Sequence, residues 1–516
     1  MEMKLTFTRV VLGTLLISPL IGCGGSSGSD APAPLSSQNI NLIFVLSPDL
    51  TYAANGDINP VTANLTNQGL NRSLKMATYL KTQVLGNQNV TGIYAVAPMT
   101  HLQTANNLPD LASISAIQQF AMLNQITLPA GAAQPANSFP LNVSYAAGML
   151  LPTGVAEPYA GLLPCPACQG LDFSNSGGNN DALVARIVAA KTTGFHVFSA
   201  PWETASAMLT NINKLYGSSL EMPSGYVGPN QVYAVAITPS GSASLVTYNS
   251  HLTPAATAPV LPAALPQTTC TAQMQKFSFS ITVGQPYSQT LDGVTTTGAS
   301  NALAVKPTGI NTNQTMYMIR HAEAHPTSSF DDGNYVAAGQ WRALGLADAL
   351  RGKISPDLVM SIDPAQVAGM PNNPNMYSYV RTDMTAEPYA IANNLPFYLV
   401  ASFSLMDVDY SNLPASLATS QSVINATNYF FMGGNYSNKK ILLAWEHDHL
   451  PPTLNDLLSR YFPNGGAPLF SNTFWPSADY DTIWTVKLDA QGNLTADNAS
   501  CEGIDSVNLP PTAPQF

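Results

Sequence analysis

The stretch Thr315-Met-Tyr-Met-Ile-Arg-His-Ala-Glu323 decides how this chain reads. Its first five residues are an apolar, strand-like run. The change to Arg320-His321 puts a cation and an imidazole where the strand gives way to a loop. Downstream, Trp341, Leu344, Ala347 and Leu350 recur at helical spacing, with Gly352 as a natural stop. A buried-type strand at 357–362, a helix at about 382–392, a strand at 440–445, a helix opened by Pro451-Pro452 and a last strand at 480–488 follow. Strands alternating with helices predict an α/β fold, a mainly parallel sheet between two helical layers.

The same order recurs upstream, with strands at 41–46, 92–96, 194–198 and 231–237 and a helix at 65–80. Gly69, Arg72, Leu74, Ala77 and Leu80 keep step with Gly339, Arg342, Leu344, Ala347 and Leu350. We read a tandem duplication: a first domain at 39–250, a Pro/Thr/Ala-rich linker at 251–312, a second domain at 313–502 and a C-terminal tail at 503–516.

Composition narrows the function. The 516 residues are 45% hydrophobic and 9% charged, with 19 Lys+Arg against 30 Asp+Glu and a formal net charge of -11. That apolar fraction belongs to a folding chain, and the sparse basic residues leave no footprint for a nucleic-acid backbone. Only a local basic site can hold an anion. At the N-terminus, Lys4 and Arg9 precede an apolar run from Val10 to Gly22, shorter than the roughly 20 residues of a membrane span and suited to a signal peptide. The run ends Leu20-Ile-Gly-Cys23, which resembles a bacterial lipobox. Residues 1–23 are therefore expected to be a lipoprotein signal, with Cys23 lipidated, 24–38 a Gly/Ser-rich tether, and the protein anchored on the periplasmic or outer face of a membrane through lipid alone. The other cysteines, Cys165, Cys168, Cys270 and Cys501, are even in number, and an exported protein is expected to pair them, Cys165 with Cys168 and Cys270 with Cys501.

Chemistry concentrates in the second domain. Arg320 and His321 end one strand, Arg381 heads a helix, and His447 follows another strand. A parallel sheet presents ligands beyond the carboxyl ends of its strands, so the four residues can form one anion pocket. Guanidinium matches phosphate bidentately, and a neutral imidazole can attack phosphorus.

These motifs resemble the histidine phosphatase superfamily, with its phosphoglycerate mutase-like fold. Arg320-His321-Ala322 stands for the family's Arg-His-Gly, Arg381-Thr-Asp-Met-Thr-Ala-Glu-Pro388 for its second motif, and Trp445-Glu-His-Asp-His449 for its late histidine. The resemblance implies that His321 accepts the phosphoryl group while Arg320, Arg381 and His447 bind it. The proton donor is open among Asp448, Asp407 and Asp409, with His325, Glu323 and Glu446 as further lining residues. The implied function is an exported phosphomonoesterase or phosphoanhydride hydrolase acting on a small phosphorylated substrate without cofactor or metal. The alternative is a noncatalytic lipoprotein that keeps the fold and binds an anion. Nothing in the sequence sets an oligomeric state. The first domain has Ser47-Pro48 where Arg320-His321 would stand, and Ser199-Ala-Pro-Trp202 after its late strand, so it reads as a noncatalytic copy with an uncharged pocket.

Overall fold

The computed structural model describes residues 32–52, 56–125, 138–143, 170–216, 220–270, 275–325, 331–365, 367–368, 377–400, 421–470 and 474–516. Cys23, Cys165, Cys168, Asp407 and Asp409 lie outside them.

The first half runs β1 (Ile40–Leu46), α1 (Asn67–Tyr79), β2 (Gly92–Ala95), α2 (Ala112–Met122), β3 (Leu141–Asn142), α3 (Asn179–Ala189), β4 (Gly194–Ala200), α4 (Trp202–Tyr216), β5 (Gln231–Ile237) and β6 (Ala243–Asn249). After β7 (Phe277–Ile281), β8 (Ser288–Leu291) and β9 (Val294–Thr297) come β10 (Gln314–Arg320), α5 (Ala337–Ala349), β11 (Leu358–Ile362) and the hairpin β12 (Val367–Ala368) and β13 (Tyr377–Ser378). The chain closes with α6 (Arg381–Asn393), β14 (Phe397–Val400), α7 (Gln421–Phe431), β15 (Lys440–Trp445), α8 (Leu450–Tyr461), β16 (Thr482–Leu488) and β17 (Leu494–Cys501).

Both large sheets are mixed. The first has the order β3-β2-β4-β1-β5-β6 and the second β14-β11-β15-β10-β16-β17-β7-β8-β9. In each, four parallel strands are followed by two antiparallel ones, and the second order repeats the first strand for strand before β7. Residues 251–312, expected as a linker, instead contribute β7, β8 and β9, an antiparallel extension docked on β17. Phe277, Phe279 and Ile281 alternate inward there, a period-2 pattern that the Pro/Thr/Ala-rich surroundings hide.

Strand alternation divides each sheet's core. In the first half, Leu42, Phe44, Leu46 and Phe198 pack with α3 and α4, while Ile43, Val45, Ile93 and Val197 pack with α1 and α2. In the second half, Met316, Met318, Leu443 and Trp445 pack with α7 and α8, while Ile319, Val359, Leu442 and Ala444 pack with α5 and α6. The α1–α2 and α5–α6 faces belong to one continuous core, so the halves share an interior instead of being joined by a tether. Residues 503–516 cross this junction: Thr512 O accepts from Trp341 Nε1 at 2.7 Å and Pro514 O accepts from Gln119 Nε2 at 2.6 Å. Cys270 and Cys501 lie with Cα atoms 5.6 Å apart, within disulfide reach.

The helix register shared by α1 and α5 has a physical cause. A Cβ on Gly69 would lie 2.0 Å from Asp57 O, and one on Gly339 would lie 2.9 Å from Glu323 O. One turn on, Arg72 Nε donates to Asp57 Oδ2 at 2.6 Å and Arg342 Nε donates to Glu323 Oε1 at 2.8 Å. In both halves the missing side chain lets the helix close on an acidic residue's backbone, and the arginine grips that residue's carboxylate. Among the described residues no helix is long and apolar enough to cross a membrane.

Candidate active site

β10 and β15 are parallel neighbours, yet α5 leaves β10 toward one face of the sheet and α8 leaves β15 toward the other. Chains that diverge in this way open a crevice at the carboxyl ends of the strands, the switch point of an open α/β sheet. Arg320 ends β10, His321 follows it, and His447 follows β15. The His321 amide donates to Trp445 O at 3.0 Å, tying the two strand ends together.

Arg381 arrives from α6, and a glycine turn sets where that helix begins. The amides of Val380 and Arg381 both donate to Gly333 O at 3.0 Å. Gly333 has φ +77°, and a Cβ there would lie 1.9 Å from Ser378 O, so only glycine fits. In the same turn Asp331 Oδ1 accepts from the Gly333 amide at 3.0 Å and from Arg381 Nη1 at 2.6 Å. A second tie comes from Thr385, whose hydroxyl accepts from the Ala322 amide at 2.8 Å and donates to Arg381 O at 2.6 Å. The loop after β10 and the first turn of α6 are thus held at fixed separation.

His321 is buried, and its Nδ1 lies 2.7 Å from Ala322 O. A carbonyl oxygen only accepts, so Nδ1 carries the proton and the neutral ring keeps its lone pair on Nε2. Burial, then the charges of Arg381 and Arg320, hold His321 well below the ordinary imidazole range. His447 is pushed down to about 3 by burial and then by Arg320 and Arg381. Both imidazoles are neutral at neutral pH in the unliganded protein. Asp448 Oδ1 lies 3.4 Å from His447 Nε2, and its carboxyl is raised by burial and by Glu446.

Each guanidinium rests on a tyrosine. The carbon of Arg320 lies 3.9 Å from the Tyr480 ring centroid and that of Arg381 lies 4.3 Å from the Tyr379 ring centroid. Arg320 donates to Ser477 O, and its Nη2 is 3.3 Å from Tyr480 Oη. Arg381 Nε donates to Tyr379 Oη at 2.8 Å, and its Nη2 lies 3.6 Å from Glu446 Oε1. Tyr379 Oη donates in turn to Glu446. Arg320 Nε is buried with no hydrogen-bond partner among the described residues.

The structure therefore brings Arg320, His321, Arg381, His447, Asp448 and Glu446 together. His325 stands at the flank, its Nε2 3.1 Å from Ser138 Oγ of the first half. Glu323, expected as a lining residue, instead serves the buried Arg342 cluster with Glu502 and Asp481. Asp331, Tyr379 and Tyr480 escaped the sequence reading. Tyr379 is two positions before Arg381 and Tyr480 is two positions before β16, where the sequence placed it in the strand, but a tyrosine beside an apolar run reads as core until the guanidinium above it is placed.

No family model matches the chain, and no curated protein does. Among solved structures, the chain is similar to one described as the putative phosphohistidine phosphatase SixA from Agrobacterium tumefaciens, at 18% identity over 34% of this chain and 92% of that one, TM-score 0.19. A phosphoserine phosphatase from Entamoeba histolytica, with phosphoserine bound, matches at 14% identity over 36% of this chain and 97% of that one, TM-score 0.22. A mycobacterial glucosyl-3-phosphoglycerate phosphatase matches at 12% identity over 33% of this chain and 90% of that one, TM-score 0.20.

Proposed function

We propose that the second half is a phosphatase that hydrolyses a phosphomonoester or phosphoanhydride through a phosphohistidine on His321. The observation that carries this reading is the contact of His321 Nδ1 with Ala322 O, which leaves Nε2 unprotonated in a site containing Arg320, Arg381 and His447. Nε2 attacks phosphorus, the P–N bond forms, and the P–O bond to the leaving group breaks. The leaving oxygen takes the proton of Asp448, whose raised carboxyl retains it better than a solvated aspartate would. Water then attacks the phosphorus, its proton passes to the Asp448 carboxylate, and the P–N bond breaks to release phosphate. Arg320 and Arg381 hold the non-bridging oxygens as charge moves onto them. Asp407 and Asp409 are the other candidates for the donor.

The same proposal takes the first half as a degenerate copy of the second. The repeated strand order and the paired Gly69–Arg72 and Gly339–Arg342 contacts support it. It also takes the protein as exported, lipidated at Cys23 and stapled by Cys270–Cys501 and Cys165–Cys168, a reading that rests on the N-terminal sequence and on the approach of Cys270 to Cys501.

The test is a panel of phosphorylated compounds offered to purified protein lacking residues 1–23, with phosphorus-labelled substrate to trap the intermediate. Turnover with a base-stable, acid-labile label that disappears in His321→Ala is the expected result. Failure to hydrolyse any compound across a broad pH range overturns the enzyme reading and leaves an anion-binding lipoprotein.

A further inference from the structure

The first half carries the same crevice lined by acidic side chains in place of basic ones. β1 and β4 are parallel neighbours, and α1 and α4 leave them toward opposite faces of the sheet. The pocket there was expected to be uncharged, but three carboxyl groups converge on it: Asp49 just past β1, Asp110 just before α2, and Glu203 in the first turn of α4. Sequence reading missed them because they are scattered singly along the chain and meet only when the sheet forms.

Asp49 and Asp110 are 1% and 0% exposed. Asp49 Oδ1 accepts from the amides of Thr51 at 2.8 Å and Tyr52 at 2.6 Å, and Asp110 Oδ1 accepts from the amide of Ala112 at 2.9 Å. The remaining oxygens are the unusual ones. Among the described residues, Asp49 Oδ2 and Glu203 Oε2 are buried with no hydrogen-bond partner, and the Asp49 carboxyl is near enough to help raise Glu203. Asp110 has the Gln103 side chain beside it. His101 Nε2 stands 4.0 Å from Asp49 Oδ2 and 3.8 Å from Asp110 Oδ2, beyond hydrogen-bond distance, and burial pushes this imidazole down to about 4, so it supplies no positive charge at neutral pH. Among the described residues no Lys or Arg pairs with any of the three carboxyl groups. Burial pushes Asp110 up to about 8 and Glu203 up to about 7, as expected of acids lacking a cation.

Aromatic rings surround this acidic floor. Trp202 lies 6.4 Å from Tyr226 and 5.9 Å from Tyr233 between ring centroids, and Tyr226 lies 5.5 Å from Tyr52, whose amide Asp49 holds. Phe173 stacks on His101 at 3.6 Å. Tyr52, Tyr226 and Phe173 are partly exposed while Asp49 and Asp110 are not, so the rings form the rim. Aromatic faces and buried carboxylates both attract a cation. Among the described residues no group of three or more His, Cys, Asp or Glu is placed to hold a metal ion. Oxygens lacking donors call for a cation that brings N–H groups, which a quaternary ammonium does not.

We propose that this crevice binds the protonated amino group of an organic amine, its nitrogen on Asp49 and Glu203 and its carbon chain against the partly exposed faces of Tyr52 and Tyr226. The site is separate from the phosphatase proposal and stands or falls without it. The test titrates butylamine, phenethylamine and spermidine into the full-length chain, following tryptophan fluorescence and heat, with tetramethylammonium, Mg²⁺ and Ca²⁺ as comparators. At least one amine should bind saturably and more tightly than tetramethylammonium. Asp49→Asn, which keeps the oxygen that Thr51 and Tyr52 need, should weaken binding about tenfold or more, consistent with loss of a charged hydrogen bond. Glu203→Gln, at a less buried position, should weaken it in the same direction and serves if Asp49→Asn fails to fold. His321→Ala should bind as the parent does. Absence of saturable amine binding, equal binding of tetramethylammonium, binding of the divalent ions alone, or unchanged affinity in the folded carboxylate variants would each overturn the proposal.

Discussion

Ser115 of α2 donates its hydroxyl to the carboxyl of Glu387 on α6, and the contact is buried in the core that the two halves share. Burial, assisted by Asp110, pushes Glu387 up to about 8, so it sits protonated at neutral pH on the helix that begins with Arg381. A carboxyl whose folded value lies above its unfolded value of 4.5 favours the folded state fully below 4.5 and loses that contribution as the pH rises through about 8. Glu387→Gln imitates the protonated form. We expect it to match the parent in urea unfolding at pH 5 and to exceed it by a few kcal/mol, in order of magnitude, at pH 9. An equal gap at both pH values would count against this account.

Arg342 is fully buried between Glu323 and Glu502. Replacing it by Met leaves two acids in the interior without their guanidinium, a loss of about 3–5 kcal/mol. The counterpart Arg72→Met should cost clearly less, because the Arg72 side chain keeps 12% exposure and faces Asp57 as its ionic partner. Denaturant midpoints of the two variants give the comparison directly.

On the proposed phosphatase reading, Arg381→Lys and Arg320→Lys should each lower turnover by about 100- to 1,000-fold, since a point charge cannot reproduce a guanidinium fork on two phosphate oxygens. Circular dichroism should be unchanged. A variant with full activity would remove that arginine from the site.

The pH profile should separate the two titrating partners. His447 is already neutral above about 3, so it contributes no limb in the neutral range. In its proposed role as donor, Asp448 has to be protonated, and activity should fall as the pH climbs past its raised value. Asp448→Asn should remove that limb together with most of the rate. If the limb survives, the donor is another acid, and Asp407→Asn is the next variant to assay.

Thr385→Val removes the hydroxyl that accepts from Ala322 N and donates to Arg381 O. On the proposed phosphatase reading Thr385 positions Arg381 against His321, so the expected effect is a fall in kcat of about tenfold with little change in KM, and a Ser replacement should recover most of it.

What the sequence determined by itself is local. The apolar run that leads into Arg320-His321, the helical spacing from Trp341 to Leu350 and its echo from Gly69 to Leu80 set the element types, because apolar runs and helical periodicity are written in neighbouring residues. The motifs at their ends also named the six residues Arg320, His321, Arg381, His447, Asp448 and Glu446 that meet at the β10–β15 crevice. Strands β7 to β9 stayed illegible because only the exposed edge of β17 makes a Pro/Thr/Ala-rich segment into sheet. The tertiary structure alone decided that Glu323 faces Arg342 instead of the pocket, that Tyr379 and Tyr480 lie under the guanidiniums, and that Asp49, Asp110 and Glu203 gather at the first sheet's edge. Each depends on bringing together side chains far apart in the chain, and the charge a carboxyl carries depends on the water excluded and the partners met there, which no stretch of sequence records.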